Sequence, residues 1–390
     1  MSRFLAASDC VWFGHHVVET SGLVTYTMPG VGFGFRVSNT SRVDIKMDTG
    51  GNFFKVVLTS HGDENKTVYD LNMHAIEGEL EWIRVASNLD PSKTYDLRLI
   101  KKSEPRMKSI LSQFHPVRVK RVRASREAFF HPVSSKQLFY HSGYIEVIGD
   151  SDACGFGTDG DISSTINIFS MDGAHEDCTK AWGSRLATDL GLADAFVCTA
   201  WSGKGIAKNA PMCGDTRLPE LWVSHHYTAP DEPPRLVAIL AGGNDFFDES
   251  FPSKNEFKTE FSNFLFCLRK IRGNSVPIYV FQCAAGCCSS AGSPTLHPSQ
   301  DAWAIKSSRL LHEYTLDTVE GLDKIFYHQI NIHLELDSDY ATMMHWSPSG
   351  HKKIAQAMAQ FISSIESSGG SLWAPSATYT VLPLPISNYG

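Results

Sequence analysis

A serine that directly follows a strongly apolar segment is the clearest candidate nucleophile in this chain. Residues 145–148 are Ile-Glu-Val-Ile, a run that predicts a buried strand, and Gly149-Asp-Ser151 follows as a sharp turn. Open α/β sheets bind their ligands at the carboxyl ends of parallel strands, which is where this turn puts Ser151. Because a hydroxyl is a poor nucleophile until a base takes its proton, the fold must bring a histidine close to it.

His345 is the best candidate for that base among the 16 histidines of the chain. It stands in a polar loop that contains Pro348 and leads into the last predicted helix. We expect this loop at the same edge of the sheet as the strand end that carries Ser151. The two side chains could then act as nucleophile and general base in the hydrolysis of an ester.

Two glycine-containing segments could supply donors for the negative charge that attack on an ester creates. Removing one such preorganised donor typically lowers the rate by about 10²–10³. Gly203, in Trp201-Ser-Gly-Lys-Gly205, follows a predicted strand and could bring a backbone N–H close to a substrate. Asn244, in Gly242-Gly-Asn-Asp-Phe246, follows another strand and offers a side-chain amide. Glycine after a strand is also ordinary turn chemistry, so neither segment is specific by itself.

Two different patterns of secondary structure divide the chain. Residues 12–126 hold short β-rich runs separated by turn formers, which predicts an all-β sandwich or jelly roll. From residue 145 onward apolar strands alternate with amphipathic helices, which predicts a parallel sheet with helices on both faces. We therefore expect a β-sandwich domain at 1–135, an α/β catalytic domain at 136–368, and a tail at 369–390.

The composition of the chain argues against binding to nucleic acid or to a membrane. It has 390 residues, 20% of them charged, and a net charge of -7, so no general attraction to nucleic acid or to an anionic membrane is expected. No window approaches the roughly 18 apolar residues of a spanning helix, and no signal peptide is recognisable. The nine scattered cysteines suit a reducing compartment. We favour a cytoplasmic location, with secretion left open if the precursor is longer.

Taken together, the chemical motifs resemble the SGNH (GDS-type) hydrolase superfamily. The resemblance implies a three-layer, flavodoxin-like α/β domain. It implies Ser151 as nucleophile, His345 as general base, and an oxyanion hole made by the Ser151 and Gly203 N–H groups and the Asn244 amide. His351 matches the second histidine of the pattern, which starts a helix and is not the base.

A narrower resemblance extends over nearly the whole chain. Five segments are similar to the family-two carbohydrate esterases: Trp12-Phe-Gly-His-His16, Met28-Pro-Gly-Val-Gly-Phe33, Trp201-Ser-Gly-Lys-Gly205, Leu218-Pro-Glu-Leu-Trp222 and Gly242-Gly-Asn-Asp-Phe246. This resemblance implies a jelly roll joined to an SGNH domain, and an enzyme that removes acetyl groups from sugars. The residue chemistry alone predicts only hydrolysis of an acyl ester, with no cofactor and no metal.

Two positions depart from the superfamily pattern. Many members have an aspartate three residues before the base, where this chain has Thr342. The group that orients His345 is then a backbone carbonyl, Asp337 or Asp339, and we predict a Ser-His dyad with at most weak help from a carboxylate. Asp152 follows the serine where an apolar residue is usual, which could change the acyl pocket or the substrate.

Residues beside the candidate catalytic groups are candidates for substrate contacts. Trp201 and Trp346 could stack on a sugar ring, although packing in the core is an equal alternative for each. Asp152 and Asp245 are the acidic candidates. Trp222 is expected in the core.

Other motifs suggest a dinucleotide, calcium or zinc site, but simple structural roles explain them better. Residues 155–160 fit the dinucleotide pattern G-x-G-x-x-G only formally, because a loop with Asp159 and Asp161 follows in place of a helix. These aspartates lack the calcium-loop pattern, and His225-His226 and residues 283–288 lack a second pair at zinc-site spacing.

Two alternatives to a carbohydrate acetylesterase remain open from the sequence. One is an SGNH lipase, thioesterase or acyltransferase that acts on another acyl substrate. The other is a carbohydrate-binding protein without catalytic activity, which Thr342 and Asp152 would suit. The sequence does not predict the oligomeric state.

Overall fold

The structure is a computed structural model of the chain. It describes residues 2–61, 66–71, 78–105, 115–162, 173–193, 195–225, 232–287 and 297–368. The predicted tail at 369–390 lies outside these residues, as do His226 and Cys288 of the motifs weighed above.

The N-terminal part is a sandwich of two antiparallel sheets. One sheet has the strand order β3-β4-β11-β6-β9, with β1 also paired to β11, and the other has the order β12-β5-β10-β7-β8, with β2 also paired to β5. The strands are β1 (Arg3–Ala6), β2 (Val11–Phe13), β3 (Val17–Val18), β4 (Val24–Tyr26), β5 (Gly32–Ser38), β6 (Arg42–Asp48), β7 (Phe54–Ser60), β8 (Lys66–Leu71), β9 (Glu81–Ser87), β10 (Thr94–Lys101), β11 (Val117–Ala124) and β12 (Phe129–His131).

Strand β11 shows how the sequence pattern forms this sandwich. Val119 and Val122 are fully buried between the sheets, while Arg118 and Arg123 project away from the core and bind Asp48 and Asp44. The pairing of β11 with β6 shifts register just after Val119, which accounts for the break in the alternation of valine and charge. The basic side chains of β11 therefore lie on the outer face of the strand.

The C-terminal part is a parallel five-stranded sheet with the order β14-β13-β15-β16-β17. Its strands are β13 (Ile145–Gly149), β14 (Phe196–Ala200), β15 (Leu236–Leu240), β16 (Ile278–Cys283) and β17 (Ile325–Ile330). Its helices, with the short one that precedes them, are α1 (Ser135–Leu138), α2 (Ser151–Cys154), α3 (Trp182–Asp189), α4 (Leu218–His225), α5 (Lys254–Arg272), α6 (Ala302–Val319), α7 (Leu336–Asp339) and α8 (Pro348–Ser367).

The helices cover both faces of this sheet. Alternate residues of β15 join different apolar clusters: Val237 packs with Phe257 of α5, whereas Ala238 packs with Trp182 of α3 and Ile354 of α8. The order of strands reverses between β13 and β15, so the crevice at their carboxyl ends is the topological switch point where such sheets bind ligands. The predicted two-domain fold, a sandwich followed by a flavodoxin-like domain, is confirmed.

The two parts share an extensive contact. Gly30 of the sandwich lies against β14, and a Cβ there would be 3.1 Å from the Phe196 ring. Phe13 stacks on Tyr140, with ring centroids 5.4 Å apart, in the segment that joins the two parts. The predicted domain boundary between residues 135 and 136 falls at the start of α1, and its position stays a prediction.

A few elements were missing from the sequence-based description. Strands β1, β2, β8 and β12 and helices α1, α2, α4 and α7 were not predicted. The strands are short, and most residues of β1 and β8 are exposed, so their hydrophobic period is weak. Among the described residues, no helix has the length and apolar character needed to cross a membrane.

Candidate active site

Ser151 lies at the carboxyl end of β13, as the sequence predicts, and it is the first residue of α2. Gly149 is required before it, because a Cβ there would be 2.6 Å from the Ala153 side chain and 2.9 Å from the carbonyl of Leu240. Asp150 caps the helix by accepting the Asp152 N–H at 3.3 Å. As the first helical residue, Ser151 has an N–H with no partner in the helix, and its side chain is 7% exposed.

His345 follows a tight turn in the loop between α7 and α8. Met343 and Met344 before it have positive φ values of 53° and 60°, which are unfavourable for residues other than glycine. The turn is closed by the Ala341 N–H, which donates to the His345 carbonyl at 2.7 Å. A strained backbone directly before a candidate base is a common feature of functional sites.

Phe156 contacts both the candidate nucleophile and the candidate base. Its N–H donates to the Ser151 carbonyl at 3.0 Å, and its ring lies 4.8 Å from the His345 imidazole. The two predicted side chains are thus brought to one edge of the sheet. No hydrogen bond between them is formed in the part of the chain that the structure describes; such bonds often tighten only when substrate is bound.

Burial sets the protonation state of His345. The imidazole is 6% exposed, and burial lowers its pKa to about 4, although the carbonyl groups of Met343 and Thr342 act in the opposite direction. Those carbonyls face the ring, but Nδ1 has no partner of normal hydrogen-bond geometry among the described residues. The histidine is therefore neutral at pH 7, which is the form that can accept a proton.

Neither candidate aspartate contacts His345 in the described residues. Asp339 is fully buried and accepts hydrogen bonds from the Glu335 N–H at 2.8 Å and from the Ser349 hydroxyl at 2.7 Å. It also forms an ion pair with Lys353 in α8. Asp337 is exposed on α7. Of the alternatives left open by the sequence, a backbone carbonyl as the orienting group fits this geometry best.

The two predicted oxyanion donors lie on neighbouring loops. Gly203 has a φ of 75°, and its buried N–H has no hydrogen-bond partner among the described residues. The Asn244 amide nitrogen, in the turn after β15, donates to the Asp150 carboxylate at 3.1 Å and to the Lys204 carbonyl at 3.0 Å. Because both partners are acceptors, the orientation of this amide is fixed. An oxyanion there has to share or replace one of these bonds.

Asp245 holds the loop that follows Gly205. Its carboxylate is fully buried and accepts the backbone N–H groups of Ile206 at 2.7 Å, Ala207 at 2.6 Å and Lys208 at 2.8 Å. Burial raises its pKa to about 7 against the effect of these bonds. This geometry assigns Asp245 to shaping the loop, and it does not support the predicted substrate contact.

Asp152 is the unusual residue after the serine. It is 7% exposed and lies in α2, where its N–H donates to the Asp150 carboxylate. Burial raises the pKa of its neighbour Asp150 well above the usual range, and the charge of Asp152 adds to this effect. Asp152 therefore acts on the electrostatics of the nucleophile turn, and contact with substrate stays a prediction.

The three tryptophans considered above are buried in the structure, so little of their surface is open to a ligand. Trp346 is 1% exposed, and its indole N–H donates to the Cys287 carbonyl at 3.1 Å, so core packing describes it better than sugar stacking. Trp201 is 5% exposed, with the Lys204 ammonium 4.9 Å from its ring centre. Trp222 is fully buried, as predicted, and its N–H donates to Glu146 at 2.8 Å.

The glycine-rich segment after Ser151 supports the loop of the base. A Cβ at Gly157 would be 2.8 Å from the Thr342 carbonyl, and a Cβ at Gly160 would collide with the Thr342 hydroxyl. Residues 155–160 form turns and do not open a helix, in agreement with the rejection of a dinucleotide site. Asp159 pairs with Lys180 at 2.6 Å. Among the described residues, no group of three metal-binding side chains is close enough to hold an ion.

His351 has a structural role. It lies in α8, fully buried, where its Nδ1 accepts the Trp182 N–H at 3.2 Å and its Nε2 donates to the Thr158 hydroxyl at 3.1 Å. Burial lowers its pKa to about 3. The prediction that His351 is a helix residue and not the base agrees with these contacts.

Glu104, which sequence reasoning missed, belongs to the surroundings of this site. It comes from the sandwich, and its carboxylate accepts the Ser202 N–H at 2.6 Å, directly before Gly203. Nothing in its local sequence, Lys-Ser-Glu-Pro, indicates such a contact across 98 positions.

Comparison with known proteins identifies the fold. No protein-family model and no curated protein matches the sequence. A family-two carbohydrate esterase from Cellvibrio japonicus matches with a TM-score of 0.69 at 17% identity, covering 94% of this chain and 98% of the other. A family-two enzyme with a carbohydrate-binding domain from Corynascus thermopiles (Myceliophthora fergusii) matches with a TM-score of 0.67 at 19% identity, covering 92% and 99%.

A third match is an acetyl xylan esterase from the rumen bacterium Butyrivibrio proteoclasticus, with a TM-score of 0.61 at 14% identity, covering 95% of this chain and 99% of the other. The likeness therefore spans both parts of the molecule. The chain has the two-domain fold of the family-two carbohydrate esterases, a β-sandwich joined to a flavodoxin-like α/β domain. At these identities the chemistry has to be argued from the residues themselves.

Proposed function

We propose that this protein is a serine esterase that removes O-acetyl groups from carbohydrate by means of a Ser151–His345 dyad. The observation that carries the proposal is the joining, through Phe156, of a buried serine at the end of β13 and a buried histidine before α8. The serine heads a helix at the switch point of the sheet, and burial keeps the histidine neutral.

Acylation begins when His345 takes the proton of the Ser151 hydroxyl as its oxygen attacks the acetyl carbon. The carbonyl oxygen becomes an oxyanion, which accepts hydrogen bonds from the N–H groups of Ser151 and Gly203 and from the Asn244 amide. His345 then gives its proton to the sugar oxygen as the C–O bond breaks. The deacetylated sugar leaves, and the acetyl group stays on Ser151.

Deacylation repeats these steps with water as the nucleophile. His345 takes a proton from the water as it attacks the acetyl-enzyme, and the same donors stabilise the second oxyanion. Return of the proton to Ser151 releases acetate. No cofactor is needed for either half of the reaction.

A histidine with a low pKa can still act as the base in this sequence. Its imidazolium form appears only while the oxyanion is present, and an opposite charge nearby raises the pKa of a histidine. The carbonyl groups of Met343 and Thr342 support the charged form further. The oxyanion, and not a third carboxylate, thus supplies the counter-charge.

The choice of substrate rests on the fold and on the burial of the site. Neighbouring structures are carbohydrate esterases, one of them an acetyl xylan esterase. Ser151 and His345 are 7% and 6% exposed, which suits a small acyl group better than a long chain.

The nucleophile is tested by Ser151→Ala. We expect loss of nearly all turnover of an aryl acetate, on the order of 10⁶ in kcat, because removal of a nucleophile of this kind has that effect. An unchanged rate would refute the assignment.

Acetate release over a panel of acetylated glycans and small metabolites tests the substrate. Faster turnover of longer acyl chains, or transfer to an acceptor, would favour the lipase, thioesterase or acyltransferase alternative. Failure of a fluorophosphonate to label Ser151 would favour a carbohydrate-binding protein without activity.

A further inference from the structure

A segment of the sandwich contacts the loop of the α/β domain that carries Gly203, one of the proposed oxyanion donors. It is the continuation of β10 through residues 102–105. The Cys178 N–H donates to the Lys102 carbonyl at 3.0 Å, and the Glu104 N–H donates to the Glu176 carboxylate at 3.0 Å. The backbone of this segment is therefore fixed to the α/β domain both as an acceptor and as a donor of hydrogen bonds.

The Glu104 side chain is the part of this segment that binds the loop of Gly203. It is 3% exposed, and its carboxylate accepts the Ser202 N–H at 2.6 Å. A bond this short from a backbone N–H to a carboxylate belongs to the strong, charge-assisted class. Ser202 directly precedes Gly203, whose N–H is one of the proposed oxyanion donors.

Other contacts hold the opposite side of the same loop. The Gly203 carbonyl accepts the Ala210 N–H at 2.8 Å, and Gly203 packs so closely on Cys213 that a Cβ would lie 2.1 Å from its sulfur. On the Ser202 side, Glu104 is the acceptor that fixes the chain. The direction of the Gly203 N–H depends on the backbone torsions of Ser202, and Glu104 holds the peptide group at one end of them.

A buried carboxylate is an expensive way to hold two domains together, because desolvation opposes it. Burial raises the pKa of Glu104, and the charge of the fully buried Lys101 acts the other way. Lys101 in turn donates to the Ser103 carbonyl. Other residues of this segment join the domains without touching the loop: Lys102 pairs with Asp177 at 3.1 Å.

We propose that Glu104, contributed by the β-sandwich, is a positioning residue for the oxyanion hole of the α/β domain. Its carboxylate fixes the Ser202 peptide and so directs the Gly203 N–H toward the acyl oxygen. This inference rests on the proposed esterase function. It gives the sandwich an indirect part in the chemistry, since a residue of that domain would hold the loop that carries one oxyanion donor.

The test compares Glu104→Ala and Glu104→Gln in the full chain, with an aryl acetate as substrate. Gln keeps an acceptor for the Ser202 N–H, so we expect kcat within about threefold of the wild type. Ala removes it, and we expect kcat to fall about 10- to 100-fold with KM little changed, somewhat less than for complete loss of a donor. Hydrogen exchange of residues 201–205 should become faster only in Glu104→Ala.

Lys102→Met is the matched control, because it removes a contact between the domains that does not touch the loop. We expect a lower Tm with kcat within about twofold of the wild type. If Glu104→Ala does not fold, Glu104→Asp takes its place, because the carboxylate is kept but drawn back from Ser202.

The outcomes separate this inference from the function on which it rests. If Ser151→Ala is inactive while Glu104→Ala keeps full kcat, Glu104 is not a positioning residue. If Glu104→Ala and Lys102→Met lower kcat alike, in step with Tm, the role is structural only. Activity in Ser151→Ala would overturn the proposed function instead.

Discussion

Met343 and Met344 hold the backbone directly before His345 in a left-handed conformation, which costs on the order of 1–3 kcal/mol for each residue. The surrounding contacts maintain this turn. It carries the imidazole against Phe156 with two carbonyl groups facing the ring. The position of the proposed base is therefore set by the backbone, with no carboxylate partner among the residues that the structure describes.

The low pKa of His345 predicts the pH dependence of activity. Burial lowers this pKa to about 4, and the neutral imidazole is the base, so kcat/KM should stay high as the pH falls through 6.5 and be lost only near pH 4. The measurement is hydrolysis of an aryl acetate between about pH 3.5 and 8, with near-ultraviolet circular dichroism to confirm folding at each pH. A limb centred near 6.5 would contradict the argument from burial.

The dyad predicts that both nearby aspartates can be removed without loss of the chemistry. Asp337→Ala and Asp339→Ala should keep kcat within about threefold, whereas His345→Ala should lose about 10⁴-fold or more. Asp339→Ala should also lower stability by about 1–3 kcal/mol, since it removes the buried carboxylate that accepts hydrogen bonds from the Glu335 N–H and the Ser349 hydroxyl. A loss in folded Asp339→Ala as deep as in His345→Ala would identify a third catalytic member.

At the scale of elements, hydrogen bonds from several directions hold the loop after β14. Glu104 and Asp245 hold it from two sides, and Asn244 binds its Lys204 carbonyl at 3.0 Å. Gly203, one of the proposed donors, therefore belongs to a loop that is fixed before substrate binds, which is the condition for effective stabilisation of an oxyanion.

Gly203→Ala tests this constraint. An added Cβ meets the Cys213 sulfur at 2.1 Å, and φ is 75°, so the loop has to move. We expect kcat to fall by about 10²-fold or more, as on loss of an oxyanion donor.

Gly191→Ala is its control, because φ is 76° there and a Cβ meets nothing within 4 Å. Strain of the backbone alone should lower stability by about 1 kcal/mol and leave kcat unchanged. Equal kcat values in the two variants would show that Gly203 is not part of the hole.

At the scale of the molecule, the sandwich and the α/β domain share one buried interface. A single cluster of apolar side chains includes Phe33 of the sandwich and Trp222 and Phe264 of the α/β domain. Polar contacts from residues 101–104 add to it, including the ion pair of Lys102 with Asp177.

This interface predicts that the two domains unfold together. Calorimetry should give one transition, with calorimetric and van't Hoff enthalpies that agree, and loss of activity should coincide with it. Gly30→Val, which places a larger side chain against Phe196, should lower the Tm of that single transition. Two separate transitions in the wild type would show that the domains are independent.

Local patterns of residues were enough to predict both folds of this chain. The apolar run before Ser151, the alternation of strands and helices after it, and the β-rich runs before residue 126 set the two folds, because side-chain period and turn chemistry are local properties. The order of strand-end motifs also selected Ser151 and His345 from the sequence alone.

Contacts between segments far apart in the chain could not be predicted from the sequence and are seen only in the tertiary structure. The bond from Ser202 to Glu104 spans 98 positions, and neither residue carries a local signal of it. Packing also buried Trp346 and turned Asp245 toward a loop, and among the described residues it gave His345 no carboxylate partner. A side chain's burial and partners depend on which segments the fold brings together. The sequence could therefore predict Ser151 and His345 as candidates, whereas the fold determined which residues hold them.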